Sequence, residues 1–241
     1  MRKRHYLRMY KSKWHLLMTA LILTLPILIA WTLFQPTDFD SVSFLVDLLY
    51  STMRLVAAFI LSLFMACLLG LTLSRGKLGD FFLPFFDVLQ SFPTFAMLPL
   101  AVHYFGESNL TVLFFLVLTI IWPILFAIIS SVRLVRGELE EAATIYGATG
   151  WRRLVYFSLP VSYPGIVTGS IVGLGEGWEA VVGAEIIISL ANPGLGGFFS
   201  TRSTHNSEVV FGVFALLFFI FALNKIIWLP LLEKSHKLLS E

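Results

Sequence analysis

The sequence predicts an all-helical protein that crosses a membrane six times, because its many apolar residues fall in six long runs. Hydrophobic residues make up 57% of the 241-residue chain and charged residues only 13%, about half the charged share of soluble domains. Each run reaches the roughly 20 residues that a transmembrane helix needs. No soluble domain fits between the runs, so we expect a single membrane domain over residues 1–241.

The six predicted spans differ in their charge. All but one hold at most one charged residue, and the exception holds Glu176, Glu179 and Glu185. Few of the runs carry a polar face, which excludes the amphipathic helices of a soluble bundle. The predicted spans are 14–36, 51–74, 81–102, 108–132, 161–189 and 209–232.

The basic residues predict the orientation of these spans. The arm at 1–13 holds six Lys and Arg residues, and fifteen of the 17 in the chain fall on the side of that arm. Only Arg54 and Arg202 fall on the other side. Since cytoplasmic loops carry an excess of Lys and Arg, we expect both termini and the loop at 138–160 to lie in the cytoplasm.

The first predicted span has an alternative interpretation, because a basic arm before an apolar run is also typical of a secretory signal peptide. The run at 14–36 is longer than such a segment, and Ala30-Trp31-Thr32 does not form a small-x-small cleavage site. We therefore expect this run to stay in the protein as a membrane-spanning helix.

Two prolines, Pro93 and Pro99, bracket the middle of the third span. A broken helix survives in a membrane only where neighbouring protein or a water-filled cavity satisfies the freed backbone groups. Two interpretations stay open for these residues, a shaped surface along a transport pathway and ordinary kinks in a bundle.

The loop at 138–160 is a polar island between the fourth and fifth spans. Its acidic first turn and its alanines favour a short helix, and Gly147 and Gly150 permit the positive φ of a sharp turn. A second short helix follows, and we expect Pro160 to end it. These residues leave two interpretations open, a docking site for a partner and an interfacial connector anchored by Trp151 and its neighbours.

The same loop resembles the EAA loop of ATP-binding-cassette importer permeases in its residues, their spacing and its predicted side of the membrane. Phe157 stands where that family usually has isoleucine, and it keeps an apolar side chain there. The matching residues are Glu141, Ala142, Ala143, Gly147, Leu159 and Pro160.

Shorter matches in the same order extend the resemblance over residues 51–199. They are similar to patterns of the permease subgroup that imports nitrate, sulfonates, taurine, bicarbonate or thiamine precursors, although the first match is one residue shorter than the subgroup's pattern. The matches are Thr52-Met-Arg54, Ser91-Phe-Pro93, Pro99-Leu100, Phe105-Gly106, Gly177-Trp178, Ala184-Glu185 and Gly194-Leu195-Gly196.

This resemblance implies the type I importer permease fold and a multi-pass subunit in the plasma membrane of a bacterium or archaeon. It implies a second, identical permease copy, ABC ATPase subunits and an external solute-binding protein as partners within the lipid bilayer. In that family the loop is a coupling helix seated in a groove of the ATPase. The chain lacks a Gly-x-x-x-x-Gly-Lys-Ser/Thr phosphate loop. We therefore expect no enzymatic activity in this chain and ATP on the partner subunit.

The three glutamates of the fifth span are candidate pathway residues, because acids at membrane depth are costly and usually functional. Glu176 and Glu179 share one helical face, with Trp178 as a further aromatic contact. Glu185 points away from Glu176. The glycines of this span weaken that argument if they break the helix.

Internal pairing with Arg54, Lys225 or backbone groups is the alternative interpretation of these acids. On a pathway, carboxylates repel anions unless they are protonated or paired. They favour a neutral or cationic solute such as a thiamine precursor, with small oxyanions (nitrate, bicarbonate, aliphatic sulfonates or taurine) as the alternative.

Other function classes fit the sequence poorly. Glu140 and Glu141 lie in a loop, whereas an intramembrane protease needs its acids and histidines at membrane depth. No match joins the first three spans to the last three, as a stand-alone secondary transporter with inverted repeats requires. No His-Glu-x-x-His motif is present, so we expect no metal site, and we expect no nucleic-acid partner.

Overall fold

The computed structural model describes residues 40–74, 76–135, 137–188, 193–203 and 206–238, with five further positions between 20 and 28. Every regular element in these ranges is helical. The basic arm and most of the predicted first span lie outside the described residues. The helices are α1 (Ser41–Leu73), α2 (Lys77–Gln90), α3 (Leu98–Phe105), α4 (Asn109–Arg133), α5 (Gly137–Ile145), α6 (Gly150–Arg153), α7 (Leu159–Ile188), α8 (Leu195–Thr201), α9 (Asn206–Leu223) and α10 (Leu229–Leu238).

Three stretches of the described chain are long and apolar enough to cross a membrane, namely α1, α4 and the helical stretch Ser207–Ser235. A fourth is added if α2 and the segment Thr94–Phe105 form one broken span. The 30-residue α7 is not among them, because its glutamates and glycines make it less apolar. The helical fold class is thus confirmed for the described residues, whereas six spans and cytoplasmic termini remain predictions.

The second predicted span, 51–74, is longer than expected, because α1 already begins at Ser41. The carboxylate of Asp40 caps this helix by accepting hydrogen bonds from the backbone N–H groups of Val42 and Ser43, each at 3.1 Å. With 33 residues, α1 is about 50 Å long. It therefore exceeds the roughly 30 Å of a bilayer core and extends beyond it.

The third predicted span, 81–102, is two helical segments that meet at an angle of 83°. Pro93 lies at the break and cannot donate a backbone hydrogen bond. It also disfavours helical backbone at the residue before it. Pro99 lies in the first turn of α3, where a missing N–H costs nothing. Pro93 therefore lies at the break of the span, and Pro99 lies within its second half.

The buried centre of the bundle is α4, which packs between α1 and α7. Four glycines of α7, spaced four residues apart, face it, and we call this row the glycine seam. A Cβ atom added to Gly165 would lie 2.3 Å from the carbonyl oxygen of Ala127, and one added to Gly169 would lie 2.7 Å from Cα of Ile124. The glycine seam consists of Gly165, Gly169, Gly173 and Gly177.

The glycines of the fifth span do not break it, since α7 is continuous over 30 residues. This result removes the sequence-based doubt about which side chains share a face. Glycine is destabilising in a lone helix. Here the missing side chains let two backbones approach closely, as small residues do between membrane helices.

Pro160 does not end the helix that precedes it, contrary to the sequence-based expectation. A π-helical turn over Leu154–Ser158 joins α6 to α7, and the backbone N–H of Leu159 donates to the carbonyl of Leu154. The extra residue of this turn accommodates a proline that cannot donate in the helix. The backbone is therefore helical without interruption from Gly150 to Ile188.

We predict that Gly169→Ala destabilises the protein, because the new Cβ would lie 2.7 Å from a backbone atom of α4. Overpacking of this kind costs about 1–3 kcal/mol. Gly175→Ala is the matched control, since a Cβ there meets nothing within 4 Å. Thermal unfolding of the purified protein in detergent measures the effect. Equal midpoints for the two variants would contradict the close contact.

Candidate functional site

The loop at 138–160 has the turn that its glycines predict. Gly147 and Gly150 have φ values of 75° and 50°, in the left-handed region that favours glycine. The N–H of Gly147 donates to Thr144 O at 3.0 Å, and the N–H of Ala148 donates to Ala143 O at 2.9 Å. These bonds close the end of α5 and turn the chain sharply into α6.

Large apolar side chains of this loop are exposed. Tyr146 is 90% exposed, Ile145 83% and Trp151 76%. Glu141 of the EAA match is also exposed, whereas its two alanines are half-buried. Large apolar side chains that are exposed close together in the sequence favour an interaction site. We call the group Ile145, Tyr146, Trp151 and Tyr156 the docking patch.

The second half of the loop is tied to the first by Arg153. Its Nη2 lies 3.0 Å from Oε1 of Glu140, and its guanidinium lies over the ring of Phe157 at 5.9 Å from the centroid. Phe157 is the residue that departs from the EAA pattern, and its ring supplies a cation–π contact that isoleucine lacks. Leu159 and Pro160, the last residues of the match, are exposed at the start of α7.

Glu176 and Glu179 lie together on an exposed side of α7, as the helical spacing predicts. We call this side the open face and define it by Thr168, Val172, Gly175, Glu176 and Glu179, all of which are exposed. No ion pair of either glutamate appears among the described residues.

Trp178 does not lie on the open face with Glu176 and Glu179, and its contact with a solute stays a prediction. It is buried, with its ring 5.8 Å from that of Phe219 in an edge-on contact. Two residues along a helix correspond to a rotation of about 200°, which turns Trp178 away from Glu176. The side chain therefore packs between α7 and α9.

The break at Pro93 lies beside α7. The ring of Phe95, two residues after the proline, is 4.8 Å from that of Phe115 in α4. The same ring lies 3.0 Å from where a Cβ of Gly183 would stand. Gly183 is one helical turn beyond Glu179. The structure thus brings the Pro93 break next to the Glu179 end of the open face, whereas Pro99 lies further along in α3.

Glu185 points into the protein and pairs with Arg54, which is the internal pairing that the sequence left open. Its Oε1 lies 2.5 Å from Nη1 of Arg54, and the side chains are only 2% and 9% exposed. The hydroxyl of Ser51 donates to the same carboxylate at 2.8 Å, and the N–H of Gly196 donates to Oε2 at 3.0 Å. The carboxylate is therefore both neutralised and hydrogen-bonded, as a buried charge requires.

Three further polar residues complete this cluster, and the sequence alone did not indicate them. Nε of Arg54 donates to Oδ1 of Asn109 at 2.9 Å. The hydroxyl of Ser51 accepts from the N–H of Leu195 at 2.9 Å, and Asp47 accepts from the N–H of Gly194 at 2.8 Å. We call Asp47, Ser51, Arg54, Asn109 and Glu185 the polar clamp.

The polar clamp joins α1, α4, α7 and the start of α8. A side chain at Gly194 would displace the ion pair, because its Cβ would lie 2.7 Å from both Nη1 of Arg54 and Oε2 of Glu185. At Gly196 a Cβ would lie 2.3 Å from that of Glu185. The sequence indicated only one part of the polar clamp, the pairing of Arg54 with Glu185, since charged residues within predicted spans usually pair with one another.

Comparison with known proteins places the chain among permeases. Residues 58–229 match the family described as the binding-protein-dependent transport system inner membrane component. A candidate ABC transporter permease of Methanocaldococcus jannaschii is 33% identical over 147 residues, covering 61% of this chain and 55% of that protein.

Two further relatives are named for the solutes that they import. The nitrate import permease of Synechocystis is 24% identical over 176 residues, covering 73% of this chain and 62% of the relative. The taurine transport system permease of Escherichia coli is 34% identical over 113 residues, covering 47% and 40%. The chain thus spans about half the length of the curated relatives it matches.

The family match covers most of the chain, including the EAA loop, the glycine seam and the polar clamp residue Glu185. The apolar helices agree with it, because such a subunit crosses the plasma membrane several times. The resemblance found in the sequence is confirmed: this multi-pass membrane protein belongs to the family of binding-protein-dependent transport system inner membrane components, the permeases of ABC importers.

Proposed function

We propose that this chain is the translocating subunit of an ATP-driven importer that moves a small solute into the cytoplasm. The docking patch is the observation that carries this proposal. It joins exposed aromatic side chains to the EAA residues in one rigid turn. An apolar patch of this kind, with Glu141 beside it, suits a protein partner.

The partner that we propose for the docking patch is an ABC ATPase. This sequence contains no phosphate loop, so we propose that an ABC ATPase supplies the energy for transport. ATP binding would move the loop and bias the permease between two states, since a ligand shifts an equilibrium only through contacts that differ between them. A second, identical permease copy and an external solute-binding protein complete the proposed assembly.

We propose that the open face of α7 lines the solute pathway. A charged side chain facing lipid near the bilayer centre costs roughly 2.5–3.5 kcal/mol or more. Glu176 and Glu179 are exposed in a single copy of the chain. A water-filled space between two copies would hydrate both carboxylates and remove that cost.

Two solute classes remain as proposals, each with its own support. The relatives named for nitrate and taurine import favour a small oxyanion. Glu176 and Glu179 favour a cationic or neutral solute, such as a thiamine precursor, because ionised carboxylates repel anions. The experiment below on these two residues separates the classes.

We predict that Gly147→Val abolishes coupling to the ATPase. The φ of 75° at this position is strained for a β-branched residue by about 1–3 kcal/mol, so the docking patch would lose its turn. We expect ATP-driven uptake in proteoliposomes to fall at least about tenfold, with less ATPase copurified. Gly137→Ala in the same loop is the control, because it adds a Cβ in open space. Uptake by the purified chain without any ATPase would overturn the proposal.

We predict that the double variant Glu176→Gln, Glu179→Gln changes solute preference. Removal of two negative charges should lower uptake of a cationic solute about tenfold, which corresponds to about 1.4 kcal/mol. The measurement is uptake of thiamine, nitrate and taurine by the assembled transporter. Glu107→Gln, at an exposed position outside the spans, is the control. Unchanged uptake of every solute would remove these residues from the pathway.

A further inference from the structure

We propose that Arg54 and Glu185 are positioning residues that fix the rotation of α7 about its own axis, so that Glu176 and Glu179 stay on the open face. The inference rests on the proposed function of that face as the solute pathway. It assigns a task to two residues that touch neither the docking patch nor the open face.

Glu185 and Glu176 lie on opposite sides of α7. Glu185 and Glu176 are nine residues apart, which corresponds to a rotation of about 180°. The carboxylate that is buried against α1 therefore lies on the opposite side of the helix from the carboxylate that is exposed. Any rotation of α7 that exposes Glu185 would turn Glu176 towards the bundle.

The glycine seam does not supply a strong restraint on this rotation. Interlocking of helices depends on side chains that insert between those of the neighbour. The residues of the seam have no side chain to insert, because they are glycines. At Gly165 and Gly169 the backbone of α7 lies directly against the backbone of α4. The seam sets the distance between the two axes, and a side-chain contact is needed to fix the angle.

Trp178 supplies one such contact, against Phe219 in α9, and the polar clamp supplies the directional polar contact to α1 and α8. Oε1 of Glu185 accepts from Arg54 at 2.5 Å and Oε2 accepts from Gly196 at 3.0 Å. The guanidinium is held in turn by Asn109 in α4 at 2.9 Å. Both oxygens of one carboxylate are thus bound from different helices. Because hydrogen bonds to charged groups depend strongly on direction, rotation of α7 would break them together.

The experiment measures which side of α7 faces water. Cys67 is the only cysteine of the chain, so the full-length Cys67→Ala protein is the parent. Val172→Cys places a thiol on the open face, where the residue is 47% exposed. Ser170→Cys is its near-isosteric counterpart on the buried side, where the residue is 1% exposed. The rates of modification of the two thiols by a water-soluble maleimide are compared in proteoliposomes.

In the parent, we expect the thiol at 172 to react at least about tenfold faster than the thiol at 170, because reaction requires an accessible thiolate. Glu185→Gln should bring the two rates within about threefold, since the unpaired Arg54 no longer holds the helix. The double variant Arg54→Gln, Glu185→Gln should recover most of the selectivity, because two amides can still hydrogen-bond. This recovery distinguishes positioning from general loss of fold, which size-exclusion chromatography of each variant also monitors.

Glu208→Gln is the matched control. This substitution breaks a different ion pair, the one between Arg202 and Glu208 at 2.9 Å. That pair joins the end of α8 to α9. The substitution should leave the ratio of rates unchanged. Full selectivity in Glu185→Gln would overturn the positioning role and leave the proposed function intact. A slow reaction at 172 in the parent would overturn both, because the open face would then not face water.

Discussion

The contact between the glycine seam and α4 is the constraint on which the rest of the structure depends. It brings the two helix axes close enough for α4 to bury its side chains on both sides, with Ile120, Ile124 and Ile128 all fully enclosed. In a membrane the hydrophobic effect does not drive helices together, so close van der Waals contact must do so. A helix with ordinary side chains at these four positions would hold α7 further away. Glu185 could then not reach Arg54.

Two arginines hold the ends of the same packed unit. At one end Arg54 binds Glu185 and Asn109. At the opposite end Nε of Arg133 in α4 donates to the carbonyl of Ser74 at 2.9 Å, where the terminal carbonyls of α1 attract positive charge. The two contacts differ in burial, since Arg133 is 45% exposed and Arg54 9%. Water therefore screens the charge of Arg133 more effectively than that of Arg54.

The sequence predicted the features that depend on local chemistry. The positive φ of Gly147 follows from its place between two short helices, and the shared face of Glu176 and Glu179 follows from helical periodicity. Composition and the EAA residues were sufficient to identify the permease family. The pairing of Arg54 with Glu185 remained an alternative, because two residues 131 positions apart meet only if the chain returns to the same height in the membrane.

The features that the sequence did not predict depend on tertiary packing. Glycines and Pro160 indicate breaks in an isolated helix, yet α7 continues through both. The close approach of α4 explains the glycines, and the π-helical turn explains the proline. Asp47 and Ser51 give no signal of their own, since a polar residue near a helix end is common. Their role appears only because α8 places its first N–H groups against them.

Continuity of the backbone gives the proposed coupling a mechanical basis. The helical path from Gly150 through the π-helical turn to Glu176 has 26 steps and a length of about 39 Å. The backbone is helical at every residue of this path, so under the proposed coupling a displacement at Trp151 and Tyr156 would be transmitted to the open face along one continuous helix. Rotation of this helix about its own axis would not contribute to coupling, because it would turn Glu176 and Glu179 without translating them. The proposed pairing of Arg54 with Glu185 restrains rotation at the far end of the helix, beyond Glu179. Translation and tilting are then the motions that the loop can drive.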